Sequence, residues 1–158
     1  KRWMLEMDFR YLTPGEKELA RSVYTNEIDF TKVKIFNRRW KFFQPKDRAM
    51  APNGNIYYPE NSSQYSSNFY NADIHKKATF IHELAHVWQH QNKINVKLRG
   101  AFERSYEYLP LNIDSDFNNF GIEQQAQIIR DYFYLMNDFK GEGWPDIAVY
   151  KSVIPFVK

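Results

Sequence analysis

One pentapeptide, residues 82–86, has the residue types and the spacing of a metal-dependent hydrolase. It reads His-Glu-Leu-Ala-His, so on a helix the two histidines lie on one face, on successive turns. Both imidazoles can then reach a single zinc ion at about 2.0–2.1 Å. Glu83 points to the open side of that metal, where a carboxylate can take a proton from water and later deliver it to a leaving amine. The pentapeptide predicts a zinc hydrolase with His82 and His86 as ligands and Glu83 as catalytic base.

The same pentapeptide could instead form a polar helix face with two exposed imidazoles and a Glu83–His86 pair three residues apart. The neighbouring residues argue against this, since they are mostly apolar: Phe80, Ile81, Leu84, Ala85, Val87 and Trp88. A helix so nearly buried turns polar groups inward only when they have partners, because unpaired buried polar groups are costly. The flanks therefore favour the metal site.

A catalytic zinc site needs a third protein ligand, and the other two histidines do not fit that role. His90 lies on the same helix as His82, about 12 Å along the axis and about 80° around it, and His75 precedes the motif by seven residues. Glu123, 37 residues beyond His86 at the start of a second long helix, is our candidate. It could equally be a favourable charge at a helix N-terminus. Four other acidic residues compete with it: Glu103, Glu107, Asp114 and Asp116.

The elements around the motif predict one α+β unit, in the order helix, two or more strands, helix, helix. The capping box Thr13-Pro14-Gly15-Glu16 predicts a helix that runs to about residue 24. Alternating residues 31–36, and residues 55–58 after an Asn-Gly turn, predict two strands. Apolar spacing predicts the motif helix over about 74–91 and a last long helix over about 121–136. The apolar tail, 147–157, is expected to pack back on the body.

The composition is that of a globular protein of one domain: 158 residues, 43% hydrophobic and 26% charged. No apolar run approaches the roughly 20 residues that span a bilayer, so no membrane insertion is predicted. The net charge is only +3, and its densest cluster is Arg38, Arg39 and Lys41 beside Trp40. A nucleic-acid binder usually presents a basic face, so we expect no nucleic-acid partner. The absence of cysteine leaves the redox compartment open.

Four segments, within residues 10 to 135, occur in the order seen in a known family. They are Thr13–Glu16, Ala49–Tyr57, Phe80–Gln89 and Glu123–Ala126. Together they resemble bacterial metallopeptidase domains found at the C-terminus of VgrG spike proteins of type VI secretion systems, or in related Rhs-associated proteins. This combination is far more specific than the zinc motif alone. The resemblance does not extend into the tail after Met136.

The resemblance implies a zincin-like fold: a small antiparallel sheet, an active-site helix with His82, Glu83 and His86, and a second helix with Glu123 as third ligand of Zn²⁺. It implies that residues 1–158 are a single metallopeptidase domain excised from a longer secreted spike protein. Such domains resemble antibacterial toxins that a type VI secretion system carries into a target cell, often to its periplasm. A peptide or protein substrate and a cognate immunity protein are then the expected partners.

Three further roles follow from the zincin pattern. Asn55-Ile56-Tyr57 resembles the edge strand that pairs with an extended substrate, although an ordinary hairpin strand would look the same. A donor to the developing oxyanion is expected, and the candidates are Arg104, Tyr106, Tyr108 and Tyr132. Asp131 could orient a zinc-bound histidine or face solvent.

Three functions remain open at this point. The leading one is a zinc peptidase, and a near variant is a hydrolase of peptidoglycan stem peptides with the same ligands. A metal-stabilised binding module that catalyses nothing belongs to another class. Glu83 is present in the sequence, and a binding module would not need this catalytic base, so its presence favours a hydrolase.

Overall fold

Two long helices packed against each other form the centre of the molecule. The structure is a computed structural model that describes residues 9–157. Its elements are β1 (Phe9–Arg10), α1 (Pro14–Tyr24), β2 (Ile35–Phe36), β3 (Ile56–Tyr57), α2 (Ile74–Gln91), α3 (Val96–Phe102), α4 (Ile122–Met136) and α5 (Ile147–Val153). Helices and a small sheet share one core, which confirms the α+β prediction. None of the described helices is long and apolar enough to cross a membrane.

The central helix, α2, is buried on nearly all sides. It begins after Asp73, whose side chain accepts hydrogen bonds from the backbone of His75 and Lys76. Every residue from Phe80 to Gln89 is buried, and the most extensive packing of α2 is against α4. Polar groups in such a helix need partners inside the protein. The polar residues of the 82–86 segment therefore face an internal polar site.

Helix α1 begins as the capping box predicts. The Thr13 side chain accepts from the backbone N–H of Glu16, and the Glu16 carboxylate accepts from the backbone N–H of Thr13. The same carboxylate is fully buried, forms an ion pair with Arg10 at 2.8 Å and accepts from the backbone of Phe69 at 2.8 Å. Glu16 thus joins β1, α1 and the loop that leads into α2.

The sheet is mixed, and the prediction of an antiparallel sheet is wrong. β1 pairs with β2 antiparallel, but β2 pairs with β3 parallel, in the order β1-β2-β3. An isolated antiparallel bridge pairs Met50 with Tyr57, so the chain reverses direction between Met50 and β3. The segment around Met50, rather than β2, is therefore the hairpin partner of β3.

Several element boundaries also differ from the prediction. Residues 31–36 were predicted as one strand, but a 3₁₀ turn occupies Phe30–Lys32 because Asp29 caps it, and only Ile35–Phe36 are strand. The predicted strand over residues 55–58 is limited to Ile56–Tyr57. Helix α3 was not predicted. The apolar tail packs back as expected, with α5 against α4.

Replacing Gly54 by alanine is expected to destabilise the protein by about 1–3 kcal/mol. Gly54 has φ +92°, and an added Cβ would lie 2.6 Å from Cδ2 of His90. Gly100→Ala in α3 is the matched control, since its Cβ would meet only Ile122, at 3.7 Å. Alanine there should stabilise by about 0.5–1 kcal/mol. Urea unfolding measures both, and the same sign at the two sites would contradict the expectation.

Candidate metal centre

Three side chains converge at one point between α2 and α4. Nε2 of His82 and Nε2 of His86 lie 3.1 Å and 3.0 Å from the same oxygen, Oε1 of Glu123. The ligand atoms of these residues all lie within 4.8 Å of one another. Two imidazoles and one carboxylate form a donor set that zinc accepts. This group could hold a metal ion.

Glu123 reaches this point because of how α4 begins. The helix starts after Gly121, whose N–H donates to the Gln124 side chain, and Glu123 is in the first turn. The side chain of Glu103 accepts from the backbone N–H of Ile122 and is paired with Arg99. Glu103 therefore supports the start of α4 and does not join the metal group. The remaining acidic candidates also lie outside that group: Glu107, Asp114 and Asp116.

Gln89 determines which nitrogen of His86 faces the site. The Gln89 amide nitrogen donates to the backbone carbonyl of Ile122 at 3.0 Å and to Oε1 of Gln125 at 2.9 Å. The Gln89 oxygen must then face Nδ1 of His86, 2.8 Å away, and accept its proton. Nε2 is consequently the nitrogen directed at Glu123, which is the tautomer that a ligand histidine needs.

The electrostatics of the three residues favour a positive charge between them. Burial lowers the pKa of His82, against the opposing hydrogen bond to Glu123. Burial also opposes charge on His86, but the hydrogen bond and the charge of Glu123 raise its pKa to about 9. Burial alone would raise the pKa of Glu123, yet hydrogen bonds with both histidines hold it well below its usual range. A proton or a metal cation can supply that charge.

Glu83 lies beside this group and is itself buried. Burial raises its pKa to about 8, although the nearby charges of His86 and Arg48 oppose the rise. A carboxyl group with a pKa near neutrality is suited to accept and return a proton. Arg48 is exposed and acts from the segment that precedes Met50. The charge of Arg48 therefore influences Glu83 from a segment that is distant in sequence from α2 and α4.

Among the candidate oxyanion donors, Tyr106 adjoins the site. Its ring stacks on His82, with centroids 6.0 Å apart and planes 15° apart, and its side chain is 42% exposed. Burial and the charge of Glu123 raise the pKa of Tyr106 to about 12, so its hydroxyl stays protonated. Tyr108 is committed elsewhere, because its hydroxyl contacts Asp131 and Tyr150 at 2.6 Å each. Tyr132 is buried, and Arg104 is exposed.

Asp131 does not orient a histidine. Its carboxylate accepts from Tyr108 and from Arg130, so it joins α4 to the segment that precedes it. Gln89 does the orienting instead. The other histidines lie outside the group, as expected: His75 is exposed and bonded to Tyr134, and His90 is exposed against Gly54.

The backbone of β3 is occupied on both of its sides. Ile56 N–H and Tyr58 N–H donate to the carbonyls of Lys34 and Phe36, while Tyr57 N–H and C=O pair with Met50 at 2.8 Å and 3.0 Å. The Asn55 side chain accepts from the backbone of Lys34 at 2.8 Å. Ile56 and Tyr57 are also buried. The backbone of Ile56 and Tyr57 is therefore already paired within the protein, and pairing of Asn55, Ile56 and Tyr57 with a substrate stays a prediction.

Sequence reasoning missed Gln89 and Arg48. Gln89 lies three residues after His86 on the same helix, and neighbours at that spacing contact each other, so helix geometry could have identified it. Arg48 lies in an irregular segment, between a turn at Lys46 and Asp47 and the bridge at Met50. Nothing in its sequence surroundings indicates which buried group it faces.

The chain is similar to a curated protein and to a solved structure. No family model matches the chain. The type VI secretion system spike protein VgrG2b of Pseudomonas aeruginosa is 36% identical over 137 residues, which are 82% of this chain and 13% of that protein. The solved effector domain of Pseudomonas aeruginosa VgrG2b superposes with a TM-score of 0.77 at 34% identity, over 90% of this chain and 80% of that one. The chain therefore corresponds to a small part of the spike protein and to most of its effector domain.

Proposed function

The chain belongs to the family of the VgrG2b effector domain, and on that premise we propose that it is a zinc-dependent metallohydrolase, a peptidase, that acts as a type VI secretion effector. The observation that carries the activity is the convergence of His82, His86 and Glu123 beside the buried Glu83. Two imidazoles and one carboxylate as ligands, with a further carboxyl group as base, are the groups that a hydrolytic zinc site contains. The zincin-like character of the fold is part of this proposal.

The proposal assigns a role to each residue. His82, His86 and Glu123 hold the metal, and Gln89 keeps Nε2 of His86 directed at it. Zinc bound there would act as a Lewis acid that polarises the scissile carbonyl. Glu83 takes the proton from the attacking water and returns it to the leaving amine.

Tyr106 donates its hydroxyl hydrogen to the carbonyl oxygen as negative charge develops there. Its position over His82, its partial exposure and its raised pKa support this role over the other three candidates. The positive charge of Arg48 acts on both Glu83 and Tyr106. Substrate pairing with β3 is not part of the proposal, because its backbone is already used.

The biological setting is proposed from the relatives. We propose delivery by a type VI secretion system into a target cell, with action in its periplasm and a cognate immunity protein in the producer. A peptide or protein is the substrate of the leading proposal. Peptidoglycan stem peptides are the second candidate, because the same groups would hydrolyse any accessible amide.

A digestion experiment tests the activity. The protein is incubated with denatured protein and, separately, with purified sacculi, and mass spectrometry detects new amino termini or released stem peptides. Cleavage that stops with a chelator and returns with zinc supports the hydrolase. Cleavage of sacculi alone would replace the peptidase by the stem-peptide hydrolase. No cleavage by a zinc-loaded protein of either substrate would favour the binding module.

Replacing Tyr106 by phenylalanine is expected to lower kcat by about 10- to 100-fold with little change in KM. The hydroxyl contributes mainly when the oxyanion forms, and loss of one such donor costs up to about 10³-fold in a preorganised site. Tyr11→Phe, which removes the hydroxyl of a tyrosine that is 51% exposed, is the control and should leave kcat unchanged. An unchanged kcat in Tyr106→Phe would exclude the role.

A further inference from the structure

An exposed loop of residues 38–46 is not used by the proposed chemistry. Its sequence is Arg-Arg-Trp-Lys-Phe-Phe-Gln-Pro-Lys, and we refer to it as the basic aromatic loop. The backbone N–H of Gln44 donates to the carbonyl of Lys41 at 3.0 Å, which closes a turn with Phe42 and Phe43 at its centre. Turns usually carry glycine, proline, asparagine or aspartate at such positions. The formation of the turn therefore does not explain why phenylalanine occupies both central positions.

The two rings project into solvent. Phe42 is 88% exposed and Phe43 is 60% exposed. Phe43 contacts Phe42 and Trp40 edge-to-face, with centroids 5.7 Å and 6.0 Å apart. Single exposed apolar residues are common, but a contiguous aromatic group marks an interaction site.

The loop has a defined structure that keeps these rings outside. Gln44 is 1% exposed, and its side chain accepts from Trp40 N–H at 2.7 Å and donates to the carbonyls of Arg48 and Tyr57 at 2.7 Å and 3.0 Å. Arg39 donates to the carbonyl of Phe42 at 2.9 Å. The buried glutamine is an internal anchor, so the loop presents Phe42 and Phe43 instead of folding them inward.

The charge around the rings is strongly positive. Between Arg38 and Arg48 there are five basic residues and one acidic residue, whereas the whole chain has a net charge of only +3. Lys41 lies over the ring of Trp40 at 5.4 Å. Lys41 and Lys46 are exposed on either side of the two phenylalanines. A convex aromatic tip with basic residues around it complements an anionic surface into which rings can enter.

We propose that the basic aromatic loop docks the protein on the anionic surface of a phospholipid bilayer. Phe42 and Phe43 enter the headgroup and acyl boundary, and Trp40 lies at the interface where amphipathic rings are favoured. The lysines contact the anionic headgroups. The docking is peripheral, because only the exposed tip of the loop enters the bilayer surface.

Sedimentation with vesicles tests this proposal directly. The protein should bind vesicles of phosphatidylglycerol and phosphatidylcholine, bind pure phosphatidylcholine at least about tenfold more weakly, and lose binding as salt is raised. Phe42→Ser with Phe43→Ser should lower the partition coefficient about 10- to 30-fold. Lys41→Ala with Lys46→Ala should lower it about tenfold on the anionic vesicles only.

Two controls separate docking from general adhesion and from catalysis. Phe102→Ser removes a phenylalanine that is 79% exposed elsewhere and should leave vesicle binding unchanged. Glu83→Gln should also bind as the wild type does, so failure of the proposed hydrolysis would not affect this result. Thermal unfolding should be unaltered in both loop variants, since the replaced side chains are exposed.

Three outcomes would overturn the proposal. The first is absence of vesicle binding by the wild type. The second is equal binding of the wild type and the Phe42→Ser, Phe43→Ser variant. The third is a protein that binds a single-stranded oligonucleotide through the two phenylalanines but does not bind anionic vesicles. That result would assign the loop to nucleic-acid binding.

Discussion

Glu83→Gln is expected to lower kcat by about 10²- to 10⁴-fold, the range that a general acid–base group contributes, while zinc content and fold are kept. Glutamine has the shape of glutamate but cannot accept the proton of the attacking water. Glu83 also does not hold the metal in the proposal, so zinc binding should be unaffected. Kinetics on the zinc-loaded variant, together with metal analysis, measure both quantities.

Stability distinguishes this loss from unfolding. Burial raises the pKa of Glu83 to about 8, which means that its charged form is unfavourable in the folded protein. A neutral isostere should therefore leave the free energy of unfolding unchanged or increase it. Glu16→Gln is the contrasting variant, because that buried carboxylate is paired with Arg10 and caps α1. It should lose about 3–5 kcal/mol, as when a buried ion pair is broken, and keep its kcat in the folded fraction.

A Glu83→Gln variant that cleaves as fast as the wild type would end the hydrolase mechanism proposed here. A variant that loses zinc would instead show that Glu83 is a ligand. Both results differ from the expected one, in which only kcat falls.

Glu123→Ala is expected to reduce bound zinc from near one per chain to near none after dialysis against a weak chelator. Removal of a residue that merely supports a ligand costs about 10- to 100-fold in metal affinity, and loss of the ligand itself should cost more. Mass spectrometry of the metal measures the content. His86 would also lose the carboxylate that raises its pKa, so its pKa should fall as burial then dominates.

Two variants calibrate the metal measurement. Gln89→Ala removes the acceptor for Nδ1 of His86, together with the hydrogen bonds to Ile122 and Gln125, and should weaken zinc binding by about 10- to 100-fold. Glu103→Ala removes a competing carboxylate that contacts Arg99 and the start of α4, and it should retain zinc. Zinc retained in Glu123→Ala but lost in Glu103→Ala would reverse our assignment of the third ligand.

The parts of the fold that sequence predicted are those with local physical causes. The capping box at Thr13 and the apolar spacing of α2 and α4 depend on neighbours within a few residues, so their helices were predicted closely. His82, Glu83 and His86 share one helix, and their relative positions follow from its geometry. The choice of Glu123 had a different basis. Its position in the sequence fitted a metal ligand and a favourable charge at a helix N-terminus equally well, and the family resemblance favoured the ligand.

The parts that were missed depend on contacts between distant segments. The direction of β3 relative to β2 is set by the Met50–Tyr57 bridge, which alternation in either strand does not encode. Two-residue strands also carry too little pattern for their register to be predicted. Asp131 was ambiguous for the same reason, because only the fold brings Tyr108 to it across 23 residues.

If the protein is a peptidase, the hydrogen bonds of Gln44 also protect the chain from autolysis. A chain must usually be extended and free of its own backbone pairing to enter a protease cleft. The segment from Arg38 to Arg48 is irregular and mostly exposed, so it is open to cleavage. The single buried side chain of Gln44 ties its two ends together and to Tyr57. Gln44→Ala should then release this loop. The enzyme is expected to cleave its own chain between Arg38 and Arg48, a segment that the wild-type protein holds in place.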